Sequence, residues 1–509
     1  MRQEQAHQES AAAWRHAGHG VLLVCAVLLT DTGTAYGQAP GQEVDAALPP
    51  QSETRQFVAQ SDSKPASRDS LFGDDQPADA SPGAPATEKP PPASPWRGFM
   101  QGEVARSYQD PAHWSKERLR LELNRQGQFS ENVKWKIGGR FNYDAAYDSS
   151  SFYAPDVRRD QRSEFSLREN YLDISSGGNW EFRLGRQHVV WGEMVGAFIA
   201  DVVSARDMRE FILPEPDLQM LRIPQWAARA EYFGKDMKAE LLWIPVPSFD
   251  LIGKPGIPGV RGASGADFYP YPIPGPGVTS FVGEDHPSRR LSNANYGVRL
   301  SALKSGWDFS GFYYHSLDVS PTFYRQVLPG PAPELPVFLY QARHDKIDQF
   351  GGTVAKDLGS AVLKGEAVYT MGRKLNVTRI AQPDGLVEQK MIDYALGLDF
   401  SLPADARLNV QFFQRIYLDH DPDTLQSKYE SGLGVLVDAI KLGTNLEGRV
   451  LLVHSLNRSD WLLRPKVTWK FEKNWHLAVG ADIFSGPPTG LFGRYDTNDR
   501  VYSELRYSF

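Results

Sequence analysis

Residues 133–144 read VKWKIGGRFNYD, and apolar and polar side chains alternate through the whole stretch. Successive side chains of a β-strand point to opposite faces, so this segment forms a strand with one apolar and one polar face. The same alternation returns along the chain, and no segment shows a long helical period. The clearest repeats of the pattern are 119–124, 180–185, 394–400, 408–412, 463–469 and 475–483.

The length of these runs distinguishes two kinds of β-protein. Strands of a soluble sandwich usually have five or six residues, whereas a tilted strand that crosses a bilayer needs about ten. The alternating runs are of the longer kind, and many begin or end with Trp or Tyr, the side chains that settle at a membrane interface. The pattern therefore predicts transmembrane strands whose polar faces line a wet interior.

Counting the runs predicts an antiparallel barrel of about 18 strands, with 16 as the alternative if one hairpin is a loop. Short and long connections alternate between the strands, and 193–224, 248–291 and 317–344 are the longest. Outer-membrane barrels combine short periplasmic turns with long external loops. An even number of strands places both the N-terminus and the C-terminus of the barrel in the periplasm. The predicted strand centres are 102, 121, 138, 169, 186, 230, 242, 298, 311, 351, 365, 395, 411, 435, 450, 465, 479 and 504.

Composition supports an envelope protein with a tail. The chain has 509 residues, a mean hydropathy of −0.42 and one cysteine, which excludes a bundle of apolar helices and a disulfide scaffold. We predict a signal peptide at 1–37, a disordered Pro-rich linker at 38–95 and a barrel at 96–509. The linker carries most of the net charge of −7, so the barrel itself is nearly neutral.

The last strand ends in Phe509 and has Val501, Leu505 and Tyr507 on the same face as that residue. This looks like the terminal strand signal that the barrel-assembly machinery recognises. We therefore predict the cell outer membrane of a Gram-negative envelope as the location, with the tail in the periplasm. Predicted partners are outer-membrane lipid, the assembly machinery and an exporter of the periplasm or inner membrane.

One part of the chain resembles a known group. Residues 184–193 (LGRQHVVWGE) and 201–204 (DVVS) resemble a large, poorly characterised family of proteobacterial outer-membrane barrels, and the similarity continues through 222–226 and 243–247. More distantly, the Gly-Arg-Gln strand resembles alginate-export and porin-like barrels. The resemblance implies a barrel with a transport role for lipids or other hydrophobic compounds, and it brings no substrate and no functional residue.

The polar faces of the strands supply the predicted pore lining, in which bases and acids are interleaved. Opposed charges across a narrow pore order water and select polar solutes, and the basic excess indicates a preference for anions. The alternative is that the charges pair and simply fill the barrel. The predicted lining residues are Arg118, Arg120, Lys134, Lys136, Arg140, Arg183, Arg299, Arg407, Arg415, Arg464, Lys466, Asp393 and Asp399.

The 193–224 connection is the predicted constriction. Ser204 and Asp207 approximate a capping box, which predicts a short helix that ends before Pro214. Its apolar face would pack on the inner wall, and Arg206, Asp207 and Arg209 would face the pore. The alternative is a helix that rests on the outer rim.

Two long loops are unexpectedly apolar. Residues 248–291 include Phe268, Tyr269 and Phe281, and residues 317–344 include Phe323 and Phe338. Exposed apolar segments usually mark a contact surface, so these loops plug the lumen or capture a hydrophobic solute. Simple packing of one loop on another is the alternative.

The predicted function is passage of an amphiphilic, hydrophobic or anionic small compound through a loop-constricted lumen. A general diffusion porin and an outer-membrane hydrolase are the alternatives. No nucleotide-binding loop, zinc-protease helix or esterase elbow is present, so we predict no enzyme and no cofactor. The scattered histidines have no ligand spacing and predict no metal site. The interleaved charges predict no binding of nucleic acid.

Overall fold

The protein is described from a computed structural model that covers residues 96–192, 194, 199–210, 218–257, 260, 262–271, 278–332 and 335–509. The predicted signal peptide and linker lie outside the described residues. Among the residues described, no helix is both long and apolar enough to cross a membrane.

Eighteen antiparallel strands form one closed barrel, which confirms the predicted fold and count. We number them β1 to β18 along the chain, and β4 is one strand in two segments that both pair with β3. The bounds are Arg97–Ser107, His113–Ser130, Val133–Asp144, Ser163–Leu167 with Asn170–Ser175, Trp180–Gln187, Gln225–Phe233, Met237–Val246, Asn295–Lys304, Trp307–Leu317, Lys346–Asp357, Ala361–Asn376, Leu386–Ser401, Arg407–Tyr417, Tyr429–Lys441, Leu446–Ser455, Trp461–Glu472, Trp475–Ser485 and Arg500–Ser508.

Each strand pairs with the next along the chain, and β18 pairs with β1 to close the ring. The backbones of Gly98 and Phe509 exchange two hydrogen bonds of 2.9 Å at this seam. Because the strands alternate in direction, the short turns lie at one end of the barrel together with both of its termini. The long connections lie at the other end. We call these the short-turn end and the long-loop end.

The outward face carries the apolar half of the alternation. Large apolar side chains more than a third exposed cover it, among them Leu119, Ile137, Phe141, Leu241, Leu396, Leu433, Leu452, Val479 and Leu505. Aromatic contacts link neighbouring strands near both ends, such as Trp475 with Tyr507 and Tyr296 with Tyr313. An apolar band bounded by aromatic rows is the surface that a bilayer requires.

The long loops, and one turn at the short-turn end, contain short elements of their own. Helices span Ala146–Ser149, Pro155–Gln161 and Leu218–Leu221, and 3-10 turns span Met208–Glu210, Leu291–Asn293, Pro403–Asp405 and Gly493–Asn498. Strand pairs separate from the barrel sheet join Ala205–Arg206 to Arg222–Ile223 and Thr322–Ala332 to Leu335–Arg343. Val278–Phe281 adds a parallel strand to the second pair.

Candidate functional site

The inward face of β1 to β4, which we call the polar wall, is covered by paired charges. Glu103 contacts both Lys116 and Arg118, and Glu122 lies 2.7 Å from Arg140 and 3.8 Å from Arg168. These partners come from neighbouring strands because opposite residues of a ladder share a face. Each acid therefore neutralises bases whose side chains, like its own, are largely buried.

Every predicted lining residue lies on the inward face, and most have a polar partner there. Lys134 and Arg407 are exposed close to the short-turn end. The others make these contacts: Arg118 with Glu103, Arg120 with Asn142, Lys136 with Glu169, Arg140 with Glu122, Arg183 with Asp173, Arg299 with Ser310, Arg415 with Asp393, Arg464 with Asp482, Lys466 with Glu504 and Asp399 with Lys364.

The connection between β5 and β6 folds into the lumen and is anchored to the wall by buried acids. The indole N–H of Trp191 donates to Glu240 at 2.8 Å. The backbone N–H groups of Met194 and Ala200 donate to the two carboxylate oxygens of Glu366, each at 2.8 Å. Hydrogen bonds to a charged, buried acceptor are the strong ones, so this part of the loop is fixed.

Glycines of the wall make room for this loop. A β-carbon at position 297 would lie 2.8 Å from the Trp191 ring, and one at position 397 would lie 2.7 Å from the methyl group of Met194. Gly297 is on β8 and Gly397 is on β12. The loop therefore packs directly against the backbone of these strands.

The same loop reaches the opposite side of the ring. The carbonyl of Met220 accepts a hydrogen bond of 2.7 Å from Arg140 on β3, and its sulfur lies 3.9 Å from a guanidinium nitrogen of Arg506 on β18. Since Glu366 is on β11, the loop is tied to strands that face each other across the barrel. It crosses the lumen and narrows it, and we call this connection between β5 and β6 the crossing loop.

The residues predicted to line the constriction, Arg206, Asp207 and Arg209, all make polar contacts within the loops. Arg209 pairs with Asp207 and Glu164 at 2.7 Å, and its side chain is 11% exposed. Burial lowers the pKa of Arg209, but the two carboxylates outweigh it and raise that pKa overall. The backbone N–H of Arg206 donates to Asp250 at 2.8 Å.

The predicted capped helix is replaced by a two-residue strand, Ala205–Arg206, and a 3-10 turn, Met208–Glu210. Ser204 does not cap it, because its hydroxyl lies 2.7 Å from the Asp201 carboxylate and is already partnered. Asp250 takes the Arg206 N–H and also accepts from the Ser320 hydroxyl at 2.6 Å. Burial raises the pKa of Asp250. Residues 211–217 lie outside the described part of the chain.

The apolar loops pack both on one another and on the inner wall. Tyr153, Tyr269, Phe323, Phe338 and Tyr340 belong to one buried cluster contributed by three different loops. This arrangement covers part of the long-loop end and accounts for the apolar sequences of those loops.

Phe268, from the same connection as Tyr269, reaches a second cluster. It packs there with Leu462, Phe484 and Tyr495, and Leu436, Leu451 and Val453 belong to the same cluster. Its neighbour Asp267 contacts His113 at 3.3 Å and Tyr153 at 3.2 Å. The connection therefore joins the start of β2 to the inner face of β16 and β17.

A cavity of about 360 Å³ lies against the inner face of β13 to β15. Phe413, Leu436, Leu451 and Val453 form its floor, which we call the apolar wall, and Ile199 of the crossing loop closes one side. Charged groups complete the lining, with Arg415 beside Asp393 and Arg458 3.2 Å from Glu430. The cavity thus combines an apolar surface with cations.

One further cluster lies in the loops rather than against this cavity. Within the described residues, Glu284, His286 and His344 place their ligand atoms within 4.8 Å of one another. The spacing of the histidines along the sequence does not indicate this group, because His344 is far from the other two in the chain.

A closed barrel with an apolar outer belt and a loop across its lumen belongs to the class of transmembrane β-barrels. Residues 108–509 match the family described as a protein of unknown function, DUF1302, and the chain belongs to this family. No curated protein matches the sequence.

Solved structures match most of the chain at low identity. OccK8 (OprE) of Pseudomonas aeruginosa is 11% identical, with a TM-score of 0.44 over 81% of this chain and 97% of that chain. OccAB3 of Acinetobacter baumannii is 8% identical, with a TM-score of 0.44 over 81% and 98%. Salmonella typhi OmpF, in a complex with daunomycin, is 9% identical, with a TM-score of 0.38 over 81% and 97%.

Proposed function

We propose that the protein is an outer-membrane channel or carrier for a small amphiphilic anion. The long-loop end faces the exterior, and the short-turn end faces the periplasm together with the tail of residues 38–95. The tail is then placed to meet an exporter of the periplasm or inner membrane. Lipid contacts the outward apolar belt, and the barrel-assembly machinery recognises the last strand, which ends at Phe509.

The observation that carries the proposal is the cavity inside the lumen. Its apolar wall is suited to a hydrocarbon chain, since burying apolar surface is favourable by about 25 cal/mol per Å². Its bases Arg415, Arg458 and Arg494 outnumber its acids Asp393 and Glu430, so it favours an anionic head group. A channel that passes small polar solutes of either charge needs neither the apolar wall nor the excess of bases.

The crossing loop sets how a compound passes. Ile199 lines the cavity, and the neighbouring residue Ala200 is bound to Glu366. A compound in the cavity therefore contacts the anchored segment, and its passage requires the segment to move or the compound to fit beside it. This supports selective rather than free passage.

A general diffusion porin is the second candidate, and the polar wall favours it. Paired charges facing a wet lumen orient water and admit small polar solutes. Planar bilayers distinguish the two candidates. A large, steady conductance without added amphiphile would support the general porin. A low conductance combined with uptake of an amphiphile would support the selective channel or carrier.

Binding of dodecanoate to the purified barrel tests the proposal, with uptake into proteoliposomes as the second readout. Leu451 is 3% exposed on the apolar wall, and its neighbour Leu452 is 39% exposed on the lipid face. Leu451→Asn places an amide among the apolar side chains, and we expect it to weaken dodecanoate binding at least tenfold. Leu452→Ala is the control on the opposite face of the same strand, and we expect it to bind as the wild type does.

The head-group requirement is tested by Arg415→Gln, which removes a cation of the cavity and keeps a polar side chain. We expect weaker binding of dodecanoate and no change for dodecanol, which lacks the charge. Equal binding in wild type, Leu451→Asn and Arg415→Gln contradicts the proposal. Release of fatty acid from phospholipid by the pure protein supports the hydrolase instead.

A further inference from the structure

The loops hold a second candidate site, built from Glu284, His286 and His344. The Nε2 atom of His344 lies 3.0 Å from Glu284 Oε1, and the Nε2 atom of His286 lies 3.6 Å from Glu284 Oε2. Bonds of 2.0–2.1 Å around a tetrahedral zinc ion place ligand atoms about 3.3 Å apart. The two observed distances, which end on different oxygens of Glu284, lie on either side of this value, and the three ligand atoms lie within 4.8 Å of one another.

Backbone pairing brings the three side chains together. Val278–Phe281 runs parallel to Val337–Tyr340, and the pairing continues to Asp285 and Arg343. The N–H of Asp285 donates to the carbonyl of Ala342 at 2.9 Å. Glu284 and His286 flank Asp285, and His344 follows Arg343, so the extended ladder fixes their separation.

The orientation of His344 is the strongest feature of the cluster. Its Nδ1 atom lies 2.8 Å from the backbone carbonyl of Asp318 and therefore carries a proton and donates. This leaves Nε2 as the ligand atom, in the arrangement by which a second hydrogen bond orients a metal-binding histidine. Asp318 is held in turn by Arg373 of β11, through contacts of 2.7 and 3.0 Å.

Access and packing suit an ion that enters from the solvent. The side chain of His344 is 0% exposed, whereas that of His286 is 57% exposed, so the cluster has a closed side and an open side. Phe249 stacks on both rings, at 3.9 Å from His344 and 5.7 Å from His286. The rings are thereby held nearly parallel, with an angle of 11° between them.

We propose that Glu284, His286 and His344 bind a divalent transition-metal ion of the zinc class. The ion takes the place of the proton between Nε2 of His344 and Oε1 of Glu284, and water completes the coordination. Two imidazoles and a carboxylate form a donor set that suits Zn²⁺ and leaves a position open. The bound ion ties the 278–286 segment to the end of the 335–343 strand.

Calorimetric titration of Zn²⁺ into the chelator-treated full-length barrel in detergent tests the site. We expect one site per chain, and at least tenfold weaker binding in His344→Ala, His286→Ala and Glu284→Gln. His315→Ala is the matched control, because His315 lies 2.8 Å from Asp348 and is outside the cluster. It should bind Zn²⁺ as the wild type does.

Hydrogen exchange of the same samples gives a readout that does not depend on affinity. We expect Zn²⁺ to slow exchange of the amides around 280–286 and 340–345 in the wild type and in His315→Ala, with no slowing in Glu284→Gln. Glu284→Gln keeps the shape of the side chain, so its circular dichroism should match the wild type. Binding that is equal in the wild type and all three cluster variants overturns the proposal.

Discussion

The polar wall and the apolar wall are two surfaces of the same lumen built in opposite ways. On the polar wall, Glu122 holds Arg140 and Arg168 on neighbouring strands. On the apolar wall, Leu436 and Leu451 face one another in register and belong to the cluster that includes Phe268 of a loop. One wall is held by charge neutralisation, and the other by exclusion of water.

The difference shows how a barrel gains a selective interior. Paired charges stay hydrated at their edges and leave the lumen wet, whereas an apolar wall must be covered by a loop or by a solute. The cavity lies where the cover over the apolar wall is incomplete. Substitutions on the two walls should therefore destabilise the barrel by different mechanisms.

The largest effect is expected for Glu122→Ala on the polar wall. The change leaves Arg140 and Arg168 without their shared carboxylate, and breaking a buried pair in this way costs about 3–5 kcal/mol. Thermal unfolding of the barrel in detergent, followed by circular dichroism, measures the loss. Glu447→Ala is the control, because Glu447 pairs with Lys470 in an exposed position. Equal losses in the two variants would contradict the difference in burial.

A smaller loss is expected for Leu436→Ala on the apolar wall. Removing a buried leucine side chain costs about 2–5 kcal/mol, and less where the site already borders a cavity. The same measurement applies, and Leu433→Ala on the lipid face of the same strand is the control. A larger loss for Leu433→Ala would show that the apolar wall is not packed.

Glu366→Ala tests the anchoring of the crossing loop, which lies between the two walls. Two backbone N–H groups lose their shared charged acceptor, which weakens the attachment of the loop to the wall. We expect the crossing loop to detach from β11 and single-channel conductance in planar bilayers to rise. Unchanged conductance would show that this anchor does not hold the constriction.

The smallest effect is expected for Lys136→Gln, at the less buried part of the polar wall. Lys136 pairs with Glu169 at 2.8 Å, with side chains 28% and 18% exposed. Partly exposed pairs contribute about 0–1 kcal/mol, and salt screens them. A loss of thermal stability as large as that of Glu122→Ala would remove the distinction between buried and exposed charges.

The sequence predicted the barrel well because its signal is local. Alternation in 133–144 sets one face toward lipid and one toward the lumen, and each further strand repeats the signal independently. Seventeen of the eighteen predicted centres fall within a barrel strand, and the remaining one, residue 169, falls between the two segments of β4. Aromatic residues and short turns then fix where strands end.

The site was harder to predict because its contacts join distant parts of the chain. The anchoring of Met194 and Ala200 by Glu366 has no signature in any one segment. One signal was present, however, in the unbroken apolar runs at 435–437 and 450–453. Such runs indicate strands covered on both faces, and they mark the apolar wall.

The capped helix predicted to begin at Ser204 is replaced, within the described residues 205–210, by a two-residue strand and a 3-10 turn. Local capping requires a free side chain at the first position, and here Asp201 is already in contact with Ser204. Tertiary partners therefore override the local preference, as they do at Arg206 and Arg209. The metal cluster shares this property, since pairing of two loop segments brings its ligands together.

The seam between Gly98 and Phe509 removes the last exposed edges of the sheet. Closure joins the two ends of the folded chain, so a polypeptide lacking only β18 exposes both β17 and β1 as unpaired edges. Such edges pair with strands of other chains and act as templates for aggregation. The final strand therefore protects the barrel from aggregation by pairing with both edges at once.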